Sequence, residues 1–188
     1  MDRKSFFKNY FLDLFDGIDT AFGEELDGFA ARFPDLVRPP GACAEKAFLE
    51  KCTRCGQCVK ACPFFALKPV LMANEFDLGT PALRVGEAWC RFCENLPCIT
   101  ACASGALTKG NHQQRPKIAL ASIKPANCLR SHENDCQACY DKCPAAQAAI
   151  SIQPATAVVV DPERCNGCGA CLTVCPAYPE PAIILKPL

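Results

Sequence analysis

The spacing of apolar residues predicts a helical arm at the N-terminus. Between positions 5 and 16 the apolar side chains recur in steps of three and four, which places them on one face of a helix. They are Phe7, Tyr10, Phe11, Leu14 and Phe15. A second helical stretch is predicted over about 20–32, and the Arg38-Pro39-Pro40-Gly41 segment then interrupts regular structure. We therefore divide the chain into a helical arm, residues 1–37, and a body, residues 38–188.

The body repeats one phrase four times. Each unit has an apolar or extended lead-in, a run of cysteines and a short tail, and residues 157–162 before the last run read as a β-branched strand that ends in a turn. Sixteen prolines and the cysteine runs leave little room for long helices. The predicted fold class is α+β with little regular structure.

Seventeen cysteines in 188 residues are the main departure from ordinary composition. A disulfide framework would join distant segments, whereas most of these cysteines stand only two residues apart in repeated C-x-x-C pairs. Thiols that lie so near to one another in the sequence favour a shared metal centre. Sixteen of them fall into four runs of four.

Two of these runs share a regular spacing. Run one contains Cys52, Cys55, Cys58 and Cys62. Run four contains Cys165, Cys168, Cys171 and Cys175. Both match the bacterial ferredoxin phrase C-x₂-C-x₂-C-x₃-C-P, in which three thiolates hold one iron–sulfur cubane and the fourth reaches another. Gly56, Gly167 and Gly169 provide the tight turns that such loops need.

The other two runs keep the last spacing but enlarge an earlier gap. Run two contains Cys90, Cys93, Cys98 and Cys102. Run three contains Cys128, Cys136, Cys139 and Cys143. We expect the insertions to bulge outward, either as partner contacts or as inert loops. The four runs together predict four [4Fe–4S] clusters, whose iron atoms are bound by these sixteen cysteines.

Structural zinc is the main alternative, because Cys₄ zinc sites also use C-x-x-C pairs. A third cysteine after two residues and a fourth after three, before proline, is not a zinc-ribbon spacing. The sequence contains no C-x-x-C-H haem motif and no G-x-G-x-x-G nucleotide loop. Cys43 is left over and is interpreted as a free thiol, while His112 and His132 are interpreted as surface residues. Trp89 and Phe92 flank run two and are expected to shield its sulfurs.

Charge and hydropathy exclude several other roles. The net charge is zero, with 20 basic and 20 acidic residues and no basic cluster, so nothing indicates a nucleic-acid partner. No apolar stretch approaches the roughly 20 residues of a membrane span. The first residues resemble a degenerate twin-arginine export motif, but Asp13, Asp16 and Asp19 interrupt the apolar run that should follow. We therefore expect a cytoplasmic protein without a direct membrane span.

The body resembles the four-cluster polyferredoxins of the MauM/NapG type and, more loosely, the iron–sulfur subunits of molybdenum and tungsten oxidoreductases. The resemblance depends on the Arg38-Pro-Pro-Gly-Ala lead-in, on Phe48-Leu49 before run one, on the four-residue gap of run two and on the seven-residue gap of run three. It implies an electron-transfer protein, not an enzyme, that relays electrons between a donor and the catalytic subunit of such an oxidoreductase.

Two pairings of the runs are open. Adjacent pairing joins runs one and two and runs three and four. Nested pairing joins one with four and encloses two with three as an inserted unit of about residues 80–145. We favour nesting because the runs then pair by type and because families with this layout are built so. Nesting assigns the fourth ligands of runs one to four to Cys175, Cys143, Cys102 and Cys62, in that order.

Two further functions stay open beside the electron relay. The chain could be an assembly or maturation factor that binds a catalytic subunit and donates or carries clusters. It could also self-associate through residues 1–34 into a wire-like oligomer, whereas the simpler alternative is that the arm packs on its own body.

Overall fold

The computed structural model describes residues 36–71, 76–110, 116–145, 148–153 and 158–188. The chain divides into a unit of residues 1–34 and a unit of residues 35–188, and the described residues all belong to the second. Residues 1–35 lie outside the described residues, and with them all of the predicted arm but its last two residues, the proposed self-association segment 1–34 and the predicted helices; His112 also lies outside.

Helices in the described part are short because the cysteine runs and prolines interrupt them. The α-helices are α1 Glu45–Lys51, α2 Gln57–Lys60, α3 Pro97–Thr100 and α4 Ala138–Lys142. The 3₁₀ turns are η1 Pro125–Asn127, η2 Leu129–His132 and η3 Leu172–Val174. None of the described helices is long and apolar enough to cross a membrane.

The described strands form two-stranded antiparallel sheets. The strands are β1 Leu67–Pro69, β2 Pro81–Leu83, β3 Ala119–Ile123, β4 Ile150–Ile152, β5 Val158–Val160 and β6 Ile183–Pro187. β1 pairs with β2, β3 with β6, and β4 with β5. The valine-rich segment before run four is therefore a strand, as predicted, and the prediction of an α+β chain with little regular structure is confirmed.

The same order of elements occurs twice along the body. In residues 116–188, β3 precedes run three, the β4–β5 hairpin separates runs three and four, and β6 returns to pair with β3. In residues 36–110 the β1–β2 hairpin separates runs one and two, and the outer pair is reduced to a single antiparallel bridge, Ala42 to Leu107. We call these segments the first half and the second half. They follow one another in tandem.

The apolar core contains cysteines as well as ordinary hydrophobic side chains. Phe48 of α1 is fully buried, and Ala119 and Ala170 have no exposed surface. Cys58, Cys90, Cys98, Cys128, Cys168 and Cys171 are buried in or beside this core. The runs are therefore packed into the protein, not displayed on its surface.

A candidate set of iron–sulfur sites

Three groups of four cysteines line clefts, and each group takes its fourth cysteine from the other run of the same half. Site 1 is lined by Cys52, Cys55, Cys58 and Cys102 and encloses about 320 Å³ up to its open mouth. Site 2 is lined by Cys90, Cys93, Cys98 and Cys62 and encloses about 350 Å³. Site 4 is lined by Cys165, Cys168, Cys171 and Cys143 and encloses about 370 Å³.

A fourth group, site 3, is centred on run three. Cys128 and Cys136 lie close enough to Cys139 to raise its pKa electrostatically, after the larger effect of burial. Helix α4, which carries Cys139, packs against η3, which Cys175 directly follows. Cys175 is the fourth cysteine of run four, as Cys102 is of run two, so the tandem repeat assigns it to site 3.

The nested pairing predicted from the sequence is wrong as a description of which thiols converge. It required Cys175 at site 1 and Cys143 at site 2, but Cys102 lines site 1 and Cys62 lines site 2. The inserted unit of about residues 80–145 was inferred from the nested pairing and loses that support. The physical cause is the β1–β2 hairpin, which folds run two back onto run one before the chain continues.

Three of the four loops turn sharply at the residue before the second cysteine. Arg54, Phe92 and Gly167 occupy this position in runs one, two and four, with φ values of 58°, 46° and 73°. A left-handed residue between right-handed or extended neighbours turns successive backbone N–H groups into a concavity that suits an anionic group, including iron–sulfur sites. A non-glycine residue in this conformation costs about 1–2 kcal/mol, so two of the three loops retain a strained residue here.

Glycine is required at position 167 by a close approach as well as by its φ. A Cβ there would lie 2.2 Å from the carbonyl oxygen of Ala119 on β3. The amide of Ile118 also donates to the carbonyl oxygen of Asn166, at 3.0 Å. Run four is thereby held directly against the strand that opens the second half.

The tail after three of the fourth cysteines, Cys62, Cys102 and Cys175, returns a backbone N–H to the sulfur. Cys62 Sγ accepts from the amide of Ala66, and Cys102 Sγ accepts from that of Leu107, each at 3.3 Å. Cys175 Sγ accepts from Ala182, also at 3.3 Å. Such donors stabilise the charged sulfur and set the reduction potential of a bound cluster. These donor residues were not predicted from the sequence, although the short tail that follows each run was the signal that could have indicated them.

Burial opposes ionisation of the thiols that face inward. Burial raises the pKa of Cys58 and Cys98 to about 11, although a backbone N–H bond lowers each in part. It raises the pKa of Cys90 and Cys171 to about 12, with neighbouring cysteines adding to the effect. Metal ligation requires thiolates. Loading these sites must therefore release protons that the cluster-free protein retains.

Two sulfurs are favoured as thiolates instead. The amide of Gln57 and the hydroxyl of Thr53 lower the pKa of Cys55, which is exposed. At Cys102, burial acts to raise the pKa, but bonds from Ser104 and from the backbone of the tail outweigh it, so the pKa is lowered. Both residues line site 1.

The donor sets fit an iron–sulfur cluster better than a single ion. Four thiolates around one zinc lie about 3.8 Å apart, because each Zn–S bond is about 2.3 Å in a tetrahedron. Within the described ranges, no three His, Cys, Asp or Glu side chains converge closely enough to hold one metal ion. The thiols instead line clefts with room between them, backed by apolar residues and by inward N–H groups. All-thiolate donors of this kind are the ligands of [4Fe–4S] clusters.

Aromatic residues cover part of site 2. The Arg91 guanidinium lies 3.9 Å from the ring centre of Trp89 and 5.1 Å from that of Phe64. Phe92 is 8% exposed. Phe64 and Arg91 line the cleft of site 2, whereas Trp89 and Phe92 do not, so the shielding of the sulfurs by Trp89 and Phe92 stays a prediction.

The remaining sequence predictions concern residues outside the four groups. Cys43 is half-buried and its Sγ lies 3.5 Å from the carbonyl oxygen of Ala106, so it stands apart from the cysteine-lined clefts. His132 is exposed and its Nε2 lies 2.9 Å from the carbonyl oxygen of Ala126. The enlarged gaps do bulge outward, with residues 132–135 of run three and residues 94–95 of run two exposed.

Comparison with known proteins points to the same chemistry. Residues 134–178 match the family described as a 4Fe-4S dicluster domain, and residues 48–68 match the family described as a 4Fe-4S binding domain. The first match spans run four and most of run three. The second spans run one.

Curated relatives extend the similarity over most of the chain. The chain is 36% identical over 164 residues to the ferredoxin-type protein NapG of Escherichia coli, which covers 81% of this chain and 71% of the relative. It is 35% identical over 161 residues to the methylamine utilization ferredoxin-type protein MauM of Methylobacillus flagellatus, covering 81% and 68%. It is 31% identical over 163 residues to the ferredoxin-type protein NapF of Escherichia coli, covering 85% and 92%. No solved structure matches the chain.

Proposed function

This chain belongs to the ferredoxin-type electron-transfer proteins that include NapG and MauM, and from that premise we propose that it relays electrons through four [4Fe–4S] clusters to the catalytic subunit of a redox enzyme. Each cluster is bound by three cysteines of one run and the fourth cysteine of the other run in the same half. Sites 1 to 4 thus use all sixteen cysteines of the runs.

One observation carries the proposal: three clefts are each lined by four cysteines in the tandem exchange. The exchange of fourth cysteines within a half is the arrangement of a two-cluster ferredoxin. Two copies of this two-cluster arrangement, one in each half, give four sites. Cys43 is the one cysteine left outside this scheme.

The chain's own residues hold and insulate the redox groups. The thiolates bind iron, the tail amides of Ala66, Leu107 and Ala182 donate to sulfur, and buried side chains such as Phe48 and Leu83 exclude water. A bound cubane supplies reversible one-electron chemistry. N–H donors to sulfur and restricted solvent access are the means by which a protein adjusts the potential of such a group.

The partner that we propose is the catalytic subunit of a molybdenum- or tungsten-type oxidoreductase. Its support is the lead-in and gap pattern that this chain shares with iron–sulfur subunits of that type. The exposed part of the enlarged loop of run three, residues 132–135, is a suitable contact surface because its side chains are polar and accessible to solvent.

The cluster content can be tested on the full chain after anaerobic reconstitution. We expect about sixteen iron and sixteen acid-labile sulfide atoms per chain, and about four electron equivalents taken up from dithionite, because each cubane carries four irons and accepts one electron. Cys43→Ser is the matched control and should leave both values unchanged. About eight irons, or clusters that dithionite cannot reduce, would contradict the proposal.

The partner can be tested by affinity capture of the tagged native chain from its source cells under anaerobic conditions. We expect a large catalytic subunit at fixed stoichiometry, together with enzymatic reduction or oxidation of the bound chain's clusters during turnover. Binding only to the cofactor-free form of that subunit would instead support the assembly-factor alternative.

A further inference from the structure

We propose that electrons cross between the two halves where run two contacts run four, so that the four sites form a linear path in the order 1, 2, 4, 3. This inference rests on the proposed function and adds to it the sequence of the path and its two ends. It makes site 1 and site 3 the places where electrons enter and leave. The order differs from the order of the runs along the chain.

A backbone hydrogen bond marks the crossing. The amide of Cys90, in run two, donates to the carbonyl oxygen of Cys168, in run four, at 2.9 Å. Both cysteines are buried, each with 9% of its surface exposed. The bond therefore joins a ligand residue of site 2 directly to a ligand residue of site 4.

Side chains that lead into run two pack closely around this bond. A Cβ built on Gly169, the residue after Cys168, would lie 3.6 Å from Leu83 Cδ2 and 3.9 Å from Trp89 Cβ. Leu83 ends the β2 strand that leads into run two and is 3% exposed. The run-four loop thus lies in van der Waals contact with the segment that leads into run two.

Within each half the two sites are also neighbours. In the first half, α2 carries Cys58 of site 1, and its chain reaches Cys62 of site 2 only four residues later, while α2 packs on α3. In the second half, Cys171 of site 4 lies close enough to Cys139 of site 3 to interact with it electrostatically. The electron steps between sites 1 and 2 and between sites 4 and 3 therefore each take place within one half.

Burial distinguishes the middle of this path from its ends. Sites 2 and 4 each contain two buried cysteines, whereas sites 1 and 3 each contain one. Cys55 of site 1 is exposed. A site in the middle of a path has only internal partners and can be enclosed, while an end site must come close to an external donor or acceptor.

Each step along this path moves one electron. A one-electron reductant, dithionite in the experiment below, reduces the group at an end site and is itself oxidised. The electron then passes to the neighbouring site, so that the first group returns to its oxidised state as the second becomes reduced. At the other end an external one-electron acceptor takes it up.

Four single variants of the full chain test the order by electron paramagnetic resonance. Each removes one site: Cys55→Ala for site 1, Cys93→Ala for site 2, Cys136→Ala for site 3 and Cys165→Ala for site 4. Each variant should retain about twelve irons. In the dithionite-reduced state, spins in neighbouring sites broaden one another, whereas a cluster without a neighbour gives a narrow, uncoupled signal.

Loss of a middle site isolates one end, so we expect Cys93→Ala and Cys165→Ala to show an uncoupled signal from about one-third of the remaining spins. Loss of an end site isolates nothing, so Cys55→Ala and Cys136→Ala should show none. The opposite pattern would place the crossing between sites 1 and 3 and overturn the proposal. A uniform result across all four variants would also overturn it, since no linear order would exist.

The design allows for a variant that fails to load its clusters. Each half contains one middle-site and one end-site variant, and either of them shows which site of that half lies at the crossing, so one loaded variant from each half suffices. The unmodified chain separates this inference from the proposed function. If its clusters cannot be reduced, the relay itself fails, whereas reducible clusters with the wrong coupling pattern refute only the order.

Discussion

The first and second halves of the body share one order of elements, but different contacts hold each half together. In the second half, β3 and β6 form a five-residue antiparallel ladder around runs three and four. In the first half, the corresponding closure is the single Ala42–Leu107 bridge. A buried guanidinium is present there instead.

That guanidinium belongs to Arg38, which is 8% exposed. Its Nη1 donates to Thr80 Oγ1 at 2.8 Å, its Nε and Nη2 donate to the carboxylate of Glu45, and Nη2 also pairs with Asp77. The guanidinium carbon lies 4.8 Å from the ring centre of Phe48. Arg38 thus ties the lead-in of the first half to α1 and to the β1–β2 hairpin. The first half is thus held by a side-chain network between its lead-in and its hairpin, and the second half by a backbone ladder between its first and last strands.

The largest expected effect tests whether the halves are separate cluster units. Cys102→Ser removes the fourth cysteine of site 1, and we expect the loss of about one cluster in four, because three thiolates of run one cannot complete the coordination of a cubane. After brief alkylation of the reconstituted variant, peptide mass spectrometry should find new labels on Cys52, Cys55 and Cys58. The second half should stay protected.

The control for this experiment is Cys43→Ser, whose sulfur lies outside the four sites. It should retain the iron content and the labelling pattern of the unmodified chain. Labels on Cys128, Cys136 and Cys139 in the Cys102→Ser variant would restore the nested pairing and break the comparison between the halves.

The next effect concerns the closure of the first half. Arg38→Ala removes a partner from two carboxylates and exposes the Phe48 ring, and we expect the free energy of unfolding of the first half to fall by about 3–5 kcal/mol, the usual cost of removing one member of a buried charge network. Alkylation at rising guanidinium concentration, followed residue by residue, should show first-half cysteines reacting earlier than in the unmodified chain. Second-half cysteines should react at an unchanged concentration.

Arg84→Ala is the matched control in the same half. Arg84 pairs with Glu87 on the surface, with side chains 38% and 53% exposed. Exposed pairs of this kind contribute little to stability, so we expect a much smaller shift than for Arg38→Ala. Equal shifts for Arg38→Ala and Arg84→Ala would show that the buried network does not close the first half.

A third effect tests how tightly run four is held against the second-half ladder. Gly167→Ala and Gly56→Ala share a left-handed backbone, with φ of 73° and 69°, so the conformational cost is common to both. Only at position 167 does the added Cβ meet another atom, the Ala119 carbonyl oxygen, whereas position 56 has nothing within 4 Å. We expect Gly167→Ala to cost about 1–3 kcal/mol more, measured as a lower guanidinium midpoint for bleaching of the cluster absorbance. Equal midpoints would contradict the close approach.

The sequence predicted the local features of the body well because they depend on residues close together in the chain. The spacing of the runs grouped the first three cysteines of each site, and the valine-rich segment before run four predicted β5. Outward bulging of the enlarged gaps also followed from local sequence, because residues inserted between two ligands are not needed to enclose the cluster and can extend into solvent.

The features that the sequence did not predict depend on contacts between distant segments. In every run the fourth cysteine follows the third at the same spacing, whichever run's cluster it completes. Spacing could therefore not decide between adjacent and nested pairing. The decision lies in the β1–β2 hairpin, whose register is a tertiary property. Arg38 was noted only as part of a proline-rich lead-in, because its partner Asp77 is 39 residues away.

The smallest expected effect contrasts an exposed ion pair of the second half with the buried network of the first. Lys124, at the end of β3, pairs with Glu180 before β6 at 3.3 Å, with side chains 43% and 67% exposed. We expect Lys124→Ala to cost at most about 1 kcal/mol and the cost to vanish in high salt, since exposed pairs are weak and screened. The backbone bond from the Lys124 amide to the Ala182 carbonyl, at 2.6 Å, survives the substitution. A salt-independent loss as large as that of Arg38→Ala would mean that side-chain charge, not the ladder, closes the second half as well.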